Sequence, residues 1–261
     1  MSLNRTRFWY NGADDVSFNY SDGYIIDFPT GVCTLDAVVD TVRNADGVGV
    51  ATQQKSVPER NISINGYVIA LPSEEYRRKL ERCFAPLSSG RLWAETESGE
   101  LFFLDCVSAA APVIQGAKRM PRFQVALMAE YPYWQRDTYQ ELTLFKFGAS
   151  SNGISAEIES DVPVPFQVVF SASDGCQGVA IGVGNDELRY TGSISSGQAL
   201  SIQVDEKGRV TALLDGESVI GNVTGGLKKL PAGKQNIRLE GVGDGVSITA
   251  KIKYREARAG V

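Results

Sequence analysis

The sequence predicts a mainly β protein made of two parts, with one α-helix in the first part. Most segments alternate apolar and polar residues with a period of two, which is typical of half-buried strands. Helical periodicity is convincing at one place only, and it disappears after about residue 136. The 261 residues suit two compact domains. We therefore expect an N-terminal domain over 1–136 and a C-terminal β-sandwich or jelly-roll domain over 137–261.

Several strands of the first part are indicated by their apolar positions. The aromatic cluster Phe8-Trp9-Tyr10 is expected to anchor the first strand, either in the core or at a subunit contact. The other patterns are Ile62, Ile64 and Val68 around Gly66; a hairpin of Leu92, Ala94, Thr96 and Leu101, Phe103, Asp105, Val107 across Ser98-Gly99; and Phe123, Val125, Leu127, Ala129 before Tyr131-Pro132-Tyr133-Trp134. We expect these strands to be antiparallel and half-buried.

The single convincing helix follows Pro72-Ser73, which supplies a candidate N-cap, and it closes at Ala85-Pro86. Glu74 and Glu75 lie where the helix dipole favours negative charge. They also form i,i+4 pairs with Arg78 and Lys79 in the favourable order. One apolar stripe faces the core, and it consists of Tyr76, Leu80, Cys83, Phe84 and Leu87.

The region between residues 34 and 60 is the least regular of the first part. Thr34 to Arg43 fits a second helix or a strand, and the pattern favours neither. Asn44 to Arg60, with Gly47, Gly49, Gln53 and Gln54, is typical of a long loop. Long loops in compact domains tend to be functional or mobile.

Short strands recur in the second part between Gly, Asn and Asp turns. We expect them at Phe166 to Phe170, Val179 to Val183, Leu200 to Val204, Val210 to Leu214, Ile237 to Leu239 and Val246 to Tyr254. Gly182-Val183-Gly184 lacks the third glycine and the following helix of a dinucleotide fingerprint, so it predicts a β-turn. The glycines Gly241, Gly243 and Gly245 around Asp244 predict a hairpin turn.

Composition excludes most enzyme classes. The chain contains no histidine, so it offers no Ser-His or Cys-His dyad and no imidazole ligand for zinc. Its four cysteines (Cys33, Cys83, Cys106, Cys176) form no C-x-x-C pair, and we expect reduced thiols and no metal site. No phosphate-binding Walker motif occurs. We therefore predict no catalytic, cofactor-binding or metal-binding residues, no cofactor, and no enzymatic activity.

The charge distribution argues against nucleic acids and membranes as partners. The net charge is −5, from 26 basic and 31 acidic residues, with no basic footprint for DNA or RNA. No apolar run approaches the length that spans a bilayer, and residues 1–20 contain no secretory signal. The basic residues Lys228, Lys229, Lys251, Lys253 and Arg255 are interpreted as solubilising charges on strand edges and loops.

Three carboxylate pairs could in principle support a glycosidase without histidine. They are Asp14-Asp15, Asp186-Glu187 and Asp205-Glu206. Each lies beside Gly or Asn in a turn context, where we expect solvated carboxylates with ordinary pKa values.

One ordered set of short motifs carries a resemblance over nearly the whole chain. In the first part it is an aromatic strand ending at Asn11-Gly12, a long loop from Asp46-Gly47 to Arg60, Ile62-x-Ile64-x-Gly66 before the Ser73 helix, Pro86-Leu87-x-x-Gly90-x-Leu92, and Tyr131-Pro132-Tyr133-Trp134. In the second part it is Pro163-x-Pro165-Phe166, Ile202-x-Val204-Asp205, Gly208-Arg209-Val210, and Gly233-Lys234-Gln235-Asn236-Ile237 with a shortened spacer. The order resembles the distal tail (Dit) proteins of siphophages that infect Gram-positive hosts.

The resemblance implies a phage or prophage tail component located in the virion and made in the host cytoplasm. It implies an N-terminal ring-forming (belt) domain and a galectin-like sandwich. The expected role is a hub that joins the distal end of the tail tube to the baseplate or tip. The implied partners are further copies of the chain in a homohexameric ring, the tail tube protein, and a tail-associated fibre, lysin or receptor-binding protein. The motifs define no interface residues.

Two other functions are weighed against this one. The C-terminal sandwich could be a carbohydrate-binding module for host cell-surface polysaccharide, but no Trp follows Tyr139 to stack on a sugar ring. A histidine-free glycosidase would depend on one of the three carboxylate pairs, and their turn contexts argue against it.

Overall fold

A computed structural model describes residues 6–44, 48–116, 119–147, 152–242 and 247–261. The chain forms two compact units: the residues up to Asp137 together with Arg258–Val261, and Thr138–Ala257. The last four residues, which we expected in the C-terminal domain, therefore belong to the first unit. The predicted mainly β fold with one α-helix is confirmed.

The first unit is built on one antiparallel sheet around an aromatic core. Along its main path the strands are ordered β2-β1-β7-β8-β10-β6-β3, with β9 beside β10 and β11 beside β8. Their bounds are β1 Arg7–Asn11, β2 Asp15–Ser17, β3 Tyr24–Ile26, β6 Arg60–Val68, β7 Ser89–Glu95, β8 Leu101–Ser108, β9 Val113–Gln115, β10 Arg122–Ala129 and β11 Trp134–Arg136. Two further strands, β4 (Val38–Arg43) and β5 (Val50–Ser56), form a separate two-stranded sheet.

The predicted alternation decides which side chains enter this core. All the expected inward positions of β6 and β10 are buried, including Ile64 and Val125, which pair across the two strands. Gly66 lies beside strand β3, whose backbone approaches it closely. A Cβ at this position would collide with the carbonyl oxygen of Ile25. The predicted hairpin is confirmed as β7 and β8, with Gly99 in the left-handed region at φ 80° in its turn.

Helix α1 spans Ser73–Cys83 and packs one side on the sheet. Leu80 and Cys83, followed by Phe84, are fully buried, and the ring of Phe84 lies 4.6 Å from that of Tyr10. The prediction failed at Leu87, whose side chain is 82% exposed. The helix ends at Cys83, and Leu87 has a left-handed φ of 65°, so it no longer follows the helical stripe. Ser73 provides no N-cap either, because the cap position is Pro72 and makes no side-chain hydrogen bond.

Strands β4 and β5 correct the interpretation of residues 34–60. Thr34 to Arg43 contains a strand rather than a helix, and the expected long loop from Asn44 contains the second strand of a hairpin. Neither strand buries a face, so the sequence lacks the apolar alternation on which strand prediction depends. The motif Asp46-Gly47, which falls between β4 and β5 in the sequence, lies outside the described residues.

The second unit consists of two antiparallel sheets. One is ordered β12-β22-β14-β17-β18-β19, and the other β13-β21-β15-β16-β20. The strands are β12 Gln140–Phe147, β13 Asn152–Ile158, β14 Phe166–Ala172, β15 Val179–Val183, β16 Asp186–Tyr190, β17 Ala199–Val204, β18 Val210–Leu214, β19 Glu217–Ser218, β20 Val223–Gly225, β21 Gly233–Gly241 and β22 Ser247–Tyr254, with a 3-10 turn at Ile220–Asn222. A short strand β23 (Ala257–Arg258) follows at the unit boundary.

Two turn predictions have different outcomes. The turn at Gly184 is confirmed, since β15 and β16 pair directly across it and Gly184 has φ 60°. The hairpin expected around Asp244 is wrong, because β21 and β22 belong to different sheets. Residues 243–246 of that connection lie outside the described part of the chain.

The interpretation of the basic residues also needs correction. Lys251 and Lys253 lie on β22, which pairs with strands on both sides and is therefore not an edge. Their side chains project from the outer face and approach Glu141 at 3.7 and 3.5 Å.

The division of the chain leads to a prediction about folding. We expect residues 138–257, expressed alone, to unfold in one cooperative thermal transition, because the two sheets supply their own buried side chains. Circular dichroism and calorimetry of the excised segment measure this. A product without a cooperative transition would mean that the two units share a core.

Candidate assembly surface

The two-stranded sheet of β4 and β5, here called the ribbon, exposes every one of its side chains. Val39 and Val50 are half exposed, at 50% and 56%, and Val48 near the tip is 73% exposed. The strands pair from Val38–Ser56 to Arg43–Val50, with one irregularity after Asp40. The ribbon therefore projects from the first unit without packing on the described residues.

The two faces of the ribbon differ in charge. Side chains paired across the strands share a face. One face carries two cations and no acid, and it consists of Val39, Thr41, Arg43, Val50, Thr52 and Lys55. The other carries one acid and no cation, and it consists of Val38, Asp40, Val42, Ala51, Gln54 and Ser56.

An isolated two-stranded sheet is marginally stable in water, and unpaired strand edges readily accept other strands. The valines of the ribbon add an apolar surface that its own chain leaves uncovered. A projecting ribbon of this kind is suited to pack on another protein chain. We therefore treat it as a candidate assembly surface.

The base of the ribbon is held by the buried guanidinium of Arg60, the first residue of β6. Its Nη1 donates to the carbonyl oxygens of Gly31 and Val32 at 2.8 and 2.7 Å, just before the chain enters the ribbon. Its Nε donates to Pro132 O at 2.6 Å, and its Nη2 donates to Ala259 O. One cation thus joins the chain segment that precedes the ribbon, the start of β6 that follows it, the segment before β11, and the final residues of the chain.

Neighbouring contacts complete this arrangement, which we call the Arg60 cluster. Trp134 is fully buried and donates its indole N–H to Val32 O at 2.9 Å. Gly31 has φ 82°, and a Cβ there would collide with the backbone carbonyl of Asn61. The thiol of Cys33 donates to Val261 O at 3.3 Å. The chain segments that lead into and out of the ribbon are therefore anchored in the fold.

Arg60 has no carboxylate among its described hydrogen-bond partners. Burial lowers the pKa of Arg60 to about 10, and nearby Cys33 and Cys106 oppose this shift. The side chain therefore remains protonated at neutral pH and can serve all four carbonyl oxygens.

The chain leaves the first unit after Asp137 and returns to it at Arg258. One carboxylate, that of Glu100, binds an arginine at each of these two points. Glu100 pairs with Arg136 at 2.6 Å and with Arg258 at 3.4 Å. The guanidinium of Arg258 also lies over the ring of Phe102, 4.4 Å from its centroid. These contacts hold the two segments that border the second unit.

The aromatic cluster of the first strand is divided between two faces of the sheet. Phe8 and Tyr10 lie in the core, which is one of the two positions expected from the sequence. Trp9 lies on the outer face and stacks on Trp93, with ring centroids 5.8 Å apart and planes 5° from parallel.

The structure does not bring the three carboxylate pairs together as a catalytic site. Asp14 pairs with Arg82 at 3.0 Å, while Asp15 accepts a hydrogen bond from Asn11. Asp186-Glu187 begins strand β16, and Asp205-Glu206 lies in the turn between β17 and β18. The turn contexts inferred from the sequence thus hold for the last pair.

The expectation of ordinary pKa values fails for Glu187 and Asp205. A hydrogen bond from Arg189, followed by its charge, lowers the pKa of Glu187 although burial opposes this. For Asp205, burial acts to raise the pKa, but hydrogen bonds from the Arg209 backbone and guanidinium and from Lys207 N–H together outweigh it. Both carboxyl groups are therefore held ionised, which is unsuitable for a general acid.

The thiols are likewise in a poor state for nucleophilic chemistry. All four cysteines are free. Burial raises the pKa of Cys83 to about 11 and that of Cys106 to about 12, against weaker effects of hydrogen bonds. A thiol with such a pKa is protonated at neutral pH.

Two observations concern other kinds of site. Among the described residues, no three Cys, Asp or Glu side chains gather as metal ligands. The helix of the described chain is too short and too polar to cross a bilayer.

The same fold occurs in solved structures of phage proteins. The SPP1 Dit (gp 19.1) protein, described as a paradigm of the hub adsorption apparatus in phages infecting Gram-positive bacteria, has a TM-score of 0.68 at 12% identity, covering 97% of this chain and 98% of that one. A chain of the phage P2 baseplate in its activated conformation with Ca has a TM-score of 0.53 at 11% identity, covering 98% and 99%. No protein-family model and no curated protein sequence matches the chain. The resemblance to Dit proteins is thus confirmed in the fold.

The Arg60 cluster generates a prediction about stability. Arg60→Met should lower the free energy of unfolding of the first unit by roughly 2–4 kcal/mol, because buried carbonyl oxygens lose their donor. The melting temperature should fall by about 10 °C. The matched control is Arg77→Met, which removes an exposed i,i+4 pair with Glu81 and should change little. Equal shifts in both variants would contradict the role assigned to Arg60.

The lowered pKa of Asp205 generates a prediction about pH. Because the folded pKa lies below the unfolded value of about 3.9, the carboxylate stabilises the fold above that pH, and the contribution is lost as pH falls through the folded pKa. Asp205→Asn should therefore lose a few tenths to about 1 kcal/mol at pH 7, and this loss should shrink as the pH falls through the folded pKa. Urea unfolding across pH measures this, with Glu206→Gln as the control. A difference independent of pH would refute this explanation.

Proposed function

We propose that the chain is a structural protein of a phage tail, the hub at the distal end of the tail tube that links it to the baseplate or tip. The observation that carries this proposal is the fold shared from end to end with a hub protein, at 97% and 98% coverage of the two chains. A fold supports many functions, so assembly has to be argued from the surface. The exposed ribbon supplies that argument.

The hub is a closed ring of identical copies, six in number, built by the first unit. The ribbon of one copy would contact a different surface of the next copy, so the contact between copies would be heterologous. Heterologous contacts repeat around an axis and form a ring when the rotation closes. The Arg60 cluster supports this role, because a ribbon with a fixed base presents its faces in one direction.

The ring faces are the proposed sites for other tail components. The tail tube protein binds one face, and a tail-associated fibre, lysin or receptor-binding protein binds the other. The second unit serves as the docking scaffold, since short strands joined by turns offer recognition loops on a rigid support. The acidic chain is compatible with a ring through which DNA slides without binding. The protein would then be part of the virion, after synthesis in the host cytoplasm, with no membrane or specific nucleic-acid partner.

Catalysis is no part of this function. The chain has no histidine, Cys83 and Cys106 are held protonated, and Glu187 and Asp205 are held ionised. At neutral pH the two thiols therefore lack the charge that a cysteine nucleophile needs, and the two carboxylates lack the proton that a general acid needs.

We expect the purified protein to form particles of about six times the 28.2 kDa of one chain at micromolar concentration. Replacing residues 38–56 by a short Gly-Ser linker should leave monomers that keep the melting temperature of the second unit. Mass photometry and negative-stain images measure both.

A monomeric wild-type protein at every concentration, also in the presence of the tail tube protein, would contradict the hub proposal. Specific binding of a host polysaccharide by the second unit would favour a carbohydrate-binding module instead. Hydrolysis of such a polysaccharide that disappears in Asp186→Asn or Asp205→Asn would show that the chain is an enzyme.

A further inference from the structure

We propose that the cationic face of the ribbon binds the segment of residues 20–28 in a second copy of the chain. This inference rests on the proposed ring and names the two surfaces that would form each contact. The cationic face comprises Val39, Thr41, Arg43, Val50, Thr52 and Lys55. The segment of residues 20–28, here called the receiving segment, runs from the turn after β2 through β3.

The ribbon face combines apolar surface with positive charge that no carboxylate of the described residues pairs with. Val39 and Val50 are 50% and 56% exposed and lie in the same face as the two cations. Neither Arg43 nor Lys55 has a carboxylate partner within the described part of the chain. The face therefore favours a partner that is apolar and acidic.

The receiving segment has the complementary composition. Its exposed apolar side chains are Tyr20, Ile25 and Phe28, at 77%, 42% and 45% exposure. It also contains Asp22 and Asp27, and no basic residue. Two carboxylates thus face two cations, with apolar side chains on both sides.

The receiving segment is also fixed in place, so it loses little conformational entropy on binding. Its turn is closed by hydrogen bonds from Asp22 N–H to Asn19 Oδ1 and from Tyr24 N–H to Asn19 O, at 2.8 and 3.0 Å. Asp27 N–H donates to Asn65 O at 2.9 Å. The ring of Phe28 rests edge-on against that of Phe8, with centroids 5.7 Å apart.

Charge separates this segment from three of the other exposed apolar side chains, Tyr139, Phe145 and Leu87. Tyr139 lies under the guanidinium of Arg255, 4.0 Å away, and Phe145 projects from the sheet face that carries Lys251 and Lys253. A cationic ribbon face is repelled there. Leu87 lies beyond the C-terminus of α1 and is a single exposed side chain, without an acidic neighbour in the run Ala85 to Gly90.

The size of the ribbon permits the contact. Seven residues of β5 span about 24 Å at roughly 3.4 Å per residue, which is enough to reach across a boundary between neighbouring subunits. The ribbon and the receiving segment are different surfaces of one unit. Each copy therefore gives one ribbon and receives one, as a ring requires.

Disulfide trapping tests the contact directly. In full-length protein carrying Cys33→Ser, which removes the exposed thiol, Val39→Cys and Ile25→Cys together should yield a ladder of cross-linked oligomers under mild oxidation. Val38→Cys with Ile25→Cys is the matched control, because Val38 is next in sequence but lies on the opposite face. A ladder from the control alone, or equal ladders from both, would overturn the assignment of the cationic face.

Charge reversal tests the electrostatic part. Lys55→Glu and Asp27→Lys should each weaken ring assembly at least tenfold in concentration, and the two substitutions together should restore it to within about threefold of wild type. Lys234→Glu and Asp174→Lys are the controls in the second unit and should leave assembly unchanged.

The outcomes separate this inference from the ring itself. Wild-type rings that persist unchanged in both single variants, with no ladder from Val39→Cys and Ile25→Cys, would refute the receiving segment and leave the ring proposal standing. A wild-type chain that stays monomeric would refute both. Analytical ultracentrifugation of each variant at equal salt concentration distinguishes these results.

Discussion

The first unit depends on a buried cation, Arg60, whose hydrogen-bond partners among the described residues include no carboxylate. Arg60 satisfies its guanidinium with backbone carbonyl oxygens of segments that are distant in sequence and meet at this point. A carboxylate partner would have tied Arg60 to one side chain. Carbonyl partners instead tie it to Gly31-Val32, Pro132 and Ala259 at once, so these hydrogen bonds add to the strand pairing that joins the same regions.

The ribbon is the element that gains most from this arrangement. By itself it has a single pair of strands and no buried side chain, which is below what a free sheet needs for stability. The Arg60 cluster anchors the segments before and after it, and its own backbone pairing fixes its register. The remaining stabilisation has to come from another surface, which in the proposed hub is a neighbouring subunit.

Strands with one buried face could be predicted from the sequence, and the ribbon could not. Ile62, Ile64 and Val68 alternate because the core selects every second residue of β6. Residues of β4 and β5 meet no core, so polar Gln53 and Gln54 follow one another and the pattern resembles a loop. The role of Arg60 could not be predicted, because its partners are backbone carbonyl oxygens, which every residue carries and which leave no pattern in the sequence. The Dit-like fold was nevertheless inferred, since it depends on the order of many short segments rather than on any one contact.

The path of the chain through the two units has a mechanical consequence. The second unit is joined covalently to the first at both of its ends, after Asp137 and before Arg258. A pulling force on the second unit is therefore divided between two backbone segments, and Glu100 bonds the arginine next to each attachment point. Both attachment segments therefore carry load at the same time. Such a double tether resists separation of the two units better than one flexible linker does.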